Sequence, residues 1–153
     1  MSEKDMRVRR IEHGTVIDHI KGGQALNVLH ILGISGSTKA VVSVAMNVQS
    51  DVLGTKDIVK VEDRELKQEE VDRISLIAPG ATINIIRDFK VIEKHIVDLP
   101  EIIDGVVKCD NPNCISNSKE PVTSKFTVNK EPVELRCIYC DHMISEEIAE
   151  HLI

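Results

Sequence analysis

Aromatic residues are nearly absent: the 153 residues include no Trp, one Tyr and two Phe. This scarcity counts against a surface built to stack unpaired bases, and it leaves the core to Val, Ile and Leu, which favour strands flanked by a few helices. No apolar run approaches the roughly 18 residues of a spanning helix. The stretch from Met1 to Met6 also lacks the apolar segment of a signal peptide. A cytoplasmic protein with no membrane partner is expected. There is no Gly-rich phosphate loop, no nucleophile elbow, and no paired His and Glu of a metalloprotease. His13, His30, His95, His142 and His151 are scattered, without neighbours at the spacing of a second metal or a proton-transfer site. The chain offers no catalytic constellation and reads as a non-enzyme.

What is present is an ordinary globular balance, 42% hydrophobic and 29% charged. The length suits one domain, or a domain of about 100 residues followed by a metal-dependent module of about 50. The charge is uneven. Residues 1–94 carry 14 basic and 14 acidic side chains, and residues 95–153 carry 5 and 11, so the whole formal charge of -6 lies in the second part. Such an acidic segment is a poor match for nucleic acid, which needs a basic footprint.

Hydrophobic spacing predicts the order of elements. Val8 to Ile20 alternates as an opening strand. Ala25, Val28, Leu29 and Leu32 fall at helical spacing before Gly33. Ala40 to Val48 and Asp57 to Glu62 read as a hairpin around the turn residues Asp51 to Thr55. Glu69 and Glu70 open a second helix, which Pro79-Gly80 stops, and Ala81 to Ile86 with Lys90 to Ile92 are extended. Strand, helix, strand, strand, helix, strand is the split βαβ, or ferredoxin-like, order: an antiparallel sheet with both helices on one face and the other face free. The expected fold class is α+β, with domains at 1–99 and 100–153. The second would be a small rubredoxin-like or zinc-ribbon all-β module, with short strands at Gly105 to Lys108, Lys125 to Asn129 and Val133 to Arg136.

Cys109, Cys114, Cys137 and Cys140 are spaced C-x4-C, 22 residues, C-x2-C. Each close pair can wrap a turn whose amides face the sulfurs, and two such turns complete a tetrahedron around one structural zinc. Disulfides, a redox pair at Cys137 and Cys140, or iron are the alternatives. Four thiolates leave no place for a reactive water. On the third strand, Lys56, Ile58 and Lys60 alternate with Asp57, Val59 and Val61, so two ammonium groups stand on one face about 13 Å apart. They could flank an anion, although a solvated strand face is the commoner arrangement; Asp18 and His19 could likewise meet a ribose and a phosphate or serve the surface alone.

Four segments carry a resemblance: Arg10-Ile-Glu-His-Gly-Thr-Val-Ile-Asp-His-Ile20, Gly54-Thr-Lys-Asp-Ile-Val-Lys-Val-Glu62, Ala78-Pro-Gly-Ala-Thr-Ile-Asn84 and Cys109-Asp-Asn-Pro-Asn-Cys-Ile-Ser116. In this order and spacing they resemble the regulatory chain of aspartate carbamoyltransferase, from about Val8 to the last cysteine pair. The resemblance implies a non-catalytic subunit that controls pyrimidine biosynthesis, binding CTP, ATP and UTP on its first domain and docking on catalytic chains through its zinc domain. It implies that the Ile11 backbone and Phe89 lie around the base, and Asp18 and Lys60 around base and ribose. His19, Asn84 and Lys94 would surround the phosphates with Lys56 nearby, and Val8, Val16, Ile86 and Val91 would line the pocket. Asn111, Asn113, Glu120 and Asp141 would contact the catalytic chain.

The resemblance further implies regulatory dimers joined through their first domains, and a dodecamer of six catalytic and six regulatory chains with one zinc per regulatory chain. Arg9 and Arg10 stand where the best-known members have an acidic and a small residue, Phe89 replaces a Tyr, and Ile138 and His142 replace basic residues. The tail from Glu146 to Ile153 is expected to form a short helix and an added docking element. A zinc-ribbon nucleic-acid accessory protein is the alternative function.

Overall fold

The computed structural model describes residues 11–36, 39–51 and 53–153. Val8, Arg9 and Arg10 therefore lie outside the described residues. The chain divides into two compact units, Met1–Asp98 and Leu99–Ile153.

The first unit contains β1 (Gly14–Lys21), α1 (Ala25–Ile31), β2 (Val42–Ser50), β3 (Gly54–Glu62), α2 (Gln68–Ile77), β4 (Thr82–Arg87) and β5 (Lys90–Ile96). All pairings are antiparallel, in the order β2-β3-β1-β4-β5. Period-two burial explains the layering. Thr15, Ile17, Asp57, Val59, Val61 and Ile83 are buried on the helix-covered side with Ala25, Val28, Leu32, Ile74, Leu76 and Ile77. Val16, Lys56, Ile58, Lys60 and Asn84 point to the other side and remain partly accessible.

Local chemistry sets the helix ends. Ile34 N–H donates to Leu29 O and Gly33 N–H to His30 O, the paired bonds of a left-handed terminator, with Gly33 at φ +70°. Arg64 then ties the two helices, donating to Leu32 O at 2.6 Å and ion-pairing with Glu70 at the start of α2. Its own carbonyl accepts the Thr15 hydroxyl. Glu70 also accepts the Lys67 N–H at 3.0 Å, which satisfies a donor that the helix start would otherwise leave open.

In the second unit, β6 (Ile102–Asp104), β7 (Lys125–Lys130), β8 (Val133–Cys137) and β9 (Met143–Ile144) form an antiparallel sheet in that order. Ile103, Val107, Phe126, Leu135, Ile144 and Ile148 make its small core.

Several boundaries differ from expectation: β2 and β3 are Val42–Ser50 and Gly54–Glu62 rather than Ala40 to Val48 and Asp57 to Glu62, which shortens the turn between them. Of the expected first strand, residues 11–13 lie outside β1, which starts at Gly14, and β5 runs on to Ile96 rather than ending at Ile92. The extended piece before the first cysteine lies at Ile102–Asp104 rather than Gly105–Lys108. Gly105 adopts φ +70° and donates to Ser124 O, which turns the chain out of the strand. The tail makes a single 3₁₀ turn, Ile148–His151, and then folds back on its own unit: Leu152 bridges Val107, and Lys108 N–H donates to His151 O. Among the described residues, no helix is long and apolar enough to cross a membrane.

Gly14 is the most crowded glycine among the described residues, at φ +151°, where a Cβ would lie 2.2 Å from Val61 O. Gly14→Ala is expected to destabilise this unit by about 2 kcal/mol or more, read from the midpoint of urea unfolding followed on its amide signals.

Candidate functional site: a four-thiol metal centre and a polar sheet face

Two short turns bring the cysteines together. In the first, Cys114 N–H donates to Asn111 O, and the Asn117 side chain donates to Cys109 O and Asn111 O. In the second, Asp141 takes φ +61°, with its N–H bonded to Cys137 O. The Sγ atoms of Cys109 and Cys140 lie 3.6 Å apart, as do those of Cys114 and Cys137, and all four fall within 4.8 Å of one another. A tetrahedron with zinc–sulfur bonds of about 2.3 Å has edges of about 3.8 Å. No pair is disulfide-bonded.

Without a metal the four side chains differ in protonation, and burial favours the thiol form at two of them. Burial pushes the Cys109 thiol up to about 12, and burial likewise raises Cys137. Burial acts upward on Cys114 too, but hydrogen bonds from the Ser116 hydroxyl and backbone, and from Cys137, bring it down to about 7. The cluster fits one structural zinc, with Cys109, Cys114, Cys137 and Cys140 as a closed ligand set.

The second arrangement is made by sheet register. Pairings place Ser43, Lys60, Val16, Asn84 and Lys94 in one row across all five strands. One row away on the side nearer the start of β1 stand Glu62, Gly14, Ile86 and Val91; on the other side Asp18 pairs with Thr82, and Thr82 with Ile96. Lys56 Nζ is 3.0 Å from Asp18 Oδ1, which also accepts the His19 N–H at 2.6 Å. His19 Nδ1 lies 3.3 Å from the Thr82 hydroxyl, and the Asn84 amide donates to Val16 O. Asp18, His19, Lys56, Lys60, Asn84 and Lys94 thus share one region of the open face.

Ile86 and Val91 pair at its apolar end, Ile11 is buried beside Gly14, and Phe89 is half-exposed in the β4–β5 turn. Asp88 and Phe89 both have positive φ, as a two-residue hairpin requires, and the Phe89 N–H donates to Glu12 O. Asn113, Glu120 and Asp141 are exposed and Asn111 is partly so, on or beside the two metal-binding turns.

Two features escaped sequence reasoning. Asp57 is fully buried, and its carboxylate accepts three backbone N–H groups. It alternates in phase with Val59 and Val61, so a carboxylate on the valine-bearing face of the strand was the available signal. His13, read as isolated, meets Glu12 and Asp88, all three exposed with ligand atoms within 4.8 Å. Asp88 is 75 positions away in the chain, beyond the reach of any spacing rule.

The family profile described as "Aspartate carbamoyltransferase regulatory chain, allosteric domain" matches residues 6–98, and that described as the metal binding domain of the same chain matches residues 101–150. Proteins named aspartate carbamoyltransferase regulatory chain are similar over full length: 64% identical in Methanothrix thermoacetophila and 59% in Methanosarcina barkeri, with 100% of both chains covered. One from Natronomonas pharaonis is 59% identical over 99% of this chain and 98% of its own. An allosteric domain joined to a thiolate-closed metal domain defines a non-catalytic regulatory subunit. The chain belongs to the aspartate carbamoyltransferase regulatory chain family.

Chelating the metal is expected to unfold residues 102–152 while the first unit keeps its structure, seen as selective loss of amide dispersion. Zinc binding must release protons from Cys109 and Cys137, so affinity falls as pH falls, by about tenfold per unit for each thiol protonated. A competing-chelator titration at two pH values checks the sign.

Proposed function

We propose that this chain binds nucleoside triphosphates on the open face of its first unit and passes their effect to aspartate carbamoyltransferase catalytic chains through its zinc unit, controlling pyrimidine biosynthesis. The observation that carries the reading is the row Lys60–Val16–Asn84–Lys94 with the Asp18–Lys56 pair beside it. Ammonium groups and an amide donor suit phosphate oxygens, whereas carboxylate and main-chain groups suit a ribose and the edge of a base.

In this reading His19, Asn84, Lys94 and Lys56 face the phosphates, Asp18 and Lys60 face ribose and base, and Ile11 and Phe89 flank the base. Val16, Ile86 and Val91 give it an apolar wall. CTP, ATP and UTP are the effectors. Asn111, Asn113, Glu120 and Asp141 contact the catalytic chain. The chains pair through their first units, and six regulatory with six catalytic chains form a dodecamer in the cytoplasm. An effector that favours one state of that assembly over another shifts catalysis without taking part in it.

Calorimetric titration of the zinc-loaded chain with ATP and CTP tests the site. Lys60→Ala is expected to weaken binding by about tenfold or more, the value of one charge-assisted hydrogen bond. Wild-type protein that binds neither nucleotide sinks the reading. Docking is tested apart from it: Asp141→Lys is expected to weaken co-elution with the catalytic trimer and leave nucleotide affinity unchanged.

A further inference from the structure

Two β-bulges flank the same point of β3. In β1 the register slips between Ile17 and Ile20, so Asp18 and His19 together face Ile58; in β2 it slips between Ala45 and Val48, so Met46 and Asn47 together face Asp57. Each bulge holds one residue at positive φ, His19 at 58° and Asn47 at 60°. Such conformations are costly for non-glycine residues and persist only where surrounding contacts hold them.

The contacts that hold them meet on two consecutive residues of β3. On the open face, Asp18 Oδ1 accepts the His19 N–H and pairs with Lys56 at 3.0 Å. On the buried face, Asp57 Oδ1 accepts the Asn47 N–H at 2.9 Å, and Oδ2 accepts the Gly23 and Ala25 N–H groups at 3.0 and 2.9 Å. Asp57 is completely buried, so no water can substitute for a donor that moves away. The bulge in β1 carries residues of the proposed effector site. The bulge in β2 lies on an edge strand whose Val44 and Met46 are exposed.

We infer that Asp57 is a positioning residue that joins the two bulges, so that a phosphate-bearing ligand on the cationic face is sensed at the edge of β2. The inference rests on the proposed nucleotide site. A phosphate competing for Lys56 loosens the Asp18–Lys56 pair that holds the β1 bulge. The displacement reaches Asp57 across one peptide bond, and Asp57 carries it to Asn47.

Amide hydrogen exchange of the full-length, zinc-loaded chain, resolved by residue with and without saturating ATP, tests this. In wild-type protein ATP is expected to change Asn47 exchange by about fivefold or more, the lower end of typical coupling between sites. In Asp57→Asn the single side-chain oxygen can keep the Gly23 and Ala25 donors, which leaves the new amide group facing the Asn47 N–H. Ligand-free exchange at Asn47 should then rise about tenfold, Ala25 should stay protected, and the response to ATP should vanish although ATP still binds.

ATP binding to wild type without any change at Asn47 overturns the inference, as does a full response in Asp57→Asn. If that variant does not fold, the wild-type comparison and Asp18→Asn decide: altered exchange at Asn47 in Asp18→Asn supports the link and unaltered exchange overturns it. If ATP does not bind wild type, the nucleotide reading falls, and the same Asp18→Asn measurement still decides whether the bulges are joined.

Discussion

Coordination of one metal by four thiolates is the interaction on which the second unit depends. A unit of this size, with Phe126 as its single buried aromatic and a core of a few aliphatic side chains, buries too little apolar surface to offset chain entropy alone. Metal binding to such a site is worth about 10–16 kcal/mol, comparable with the whole stability of an ordinary domain. The segment is also acidic, and a four-thiolate zinc site adds about -2 to its charge. Self-repulsion therefore works against the fold that the metal holds. The loops that carry Asn111, Asn113 and Asp141 owe their shape to the same bonds.

The first unit is held differently, by a sheet whose two faces do different work. On β3 the odd positions Asp57, Val59 and Val61 enter the core while the even positions Lys56, Ile58 and Lys60 stay accessible. Because pairing aligns rows across strands, two lysines three strands apart, Lys60 on β3 and Lys94 on the edge strand β5, reach one row with Val16 and Asn84 between them. In the proposed nucleotide site the polar groups all come from strands, and only Ile11 and Phe89 come from outside them. Binding groups fixed by strand register need little ordering when a ligand arrives, which favours affinity.

Much of this was legible in the residues. Alternation in β3, the glycine after Leu32, the Pro79-Gly80 stop and the cysteine spacing each express a local rule, and each led to the element or cluster observed. Other features depend on tertiary context. β5 is exposed along its whole length and mixes Val, Ile, Lys, Glu and His, so no periodicity marks its continuation to Ile96. Gly105 gave no hint of its left-handed turn, and the tail's return to Val107 is a long-range pairing that local patterns do not encode. Asp57 and the contact between His13 and Asp88 arise only when distant segments meet.

In the proposed function a metal-braced unit that docks and a register-built sheet face that binds nucleotide give one chain two separable tasks, and neither calls for chemistry of its own. The central claim is that this chain carries nucleotide information to a catalytic partner. It is tested most directly by mixing the zinc-loaded chain with the catalytic trimer from the same source and following the aspartate saturation curve of the complex with and without CTP and ATP. The account predicts a large complex whose curve moves with nucleotide. A complex whose curve ignores both nucleotides, or properly metallated protein that forms no complex, would contradict it.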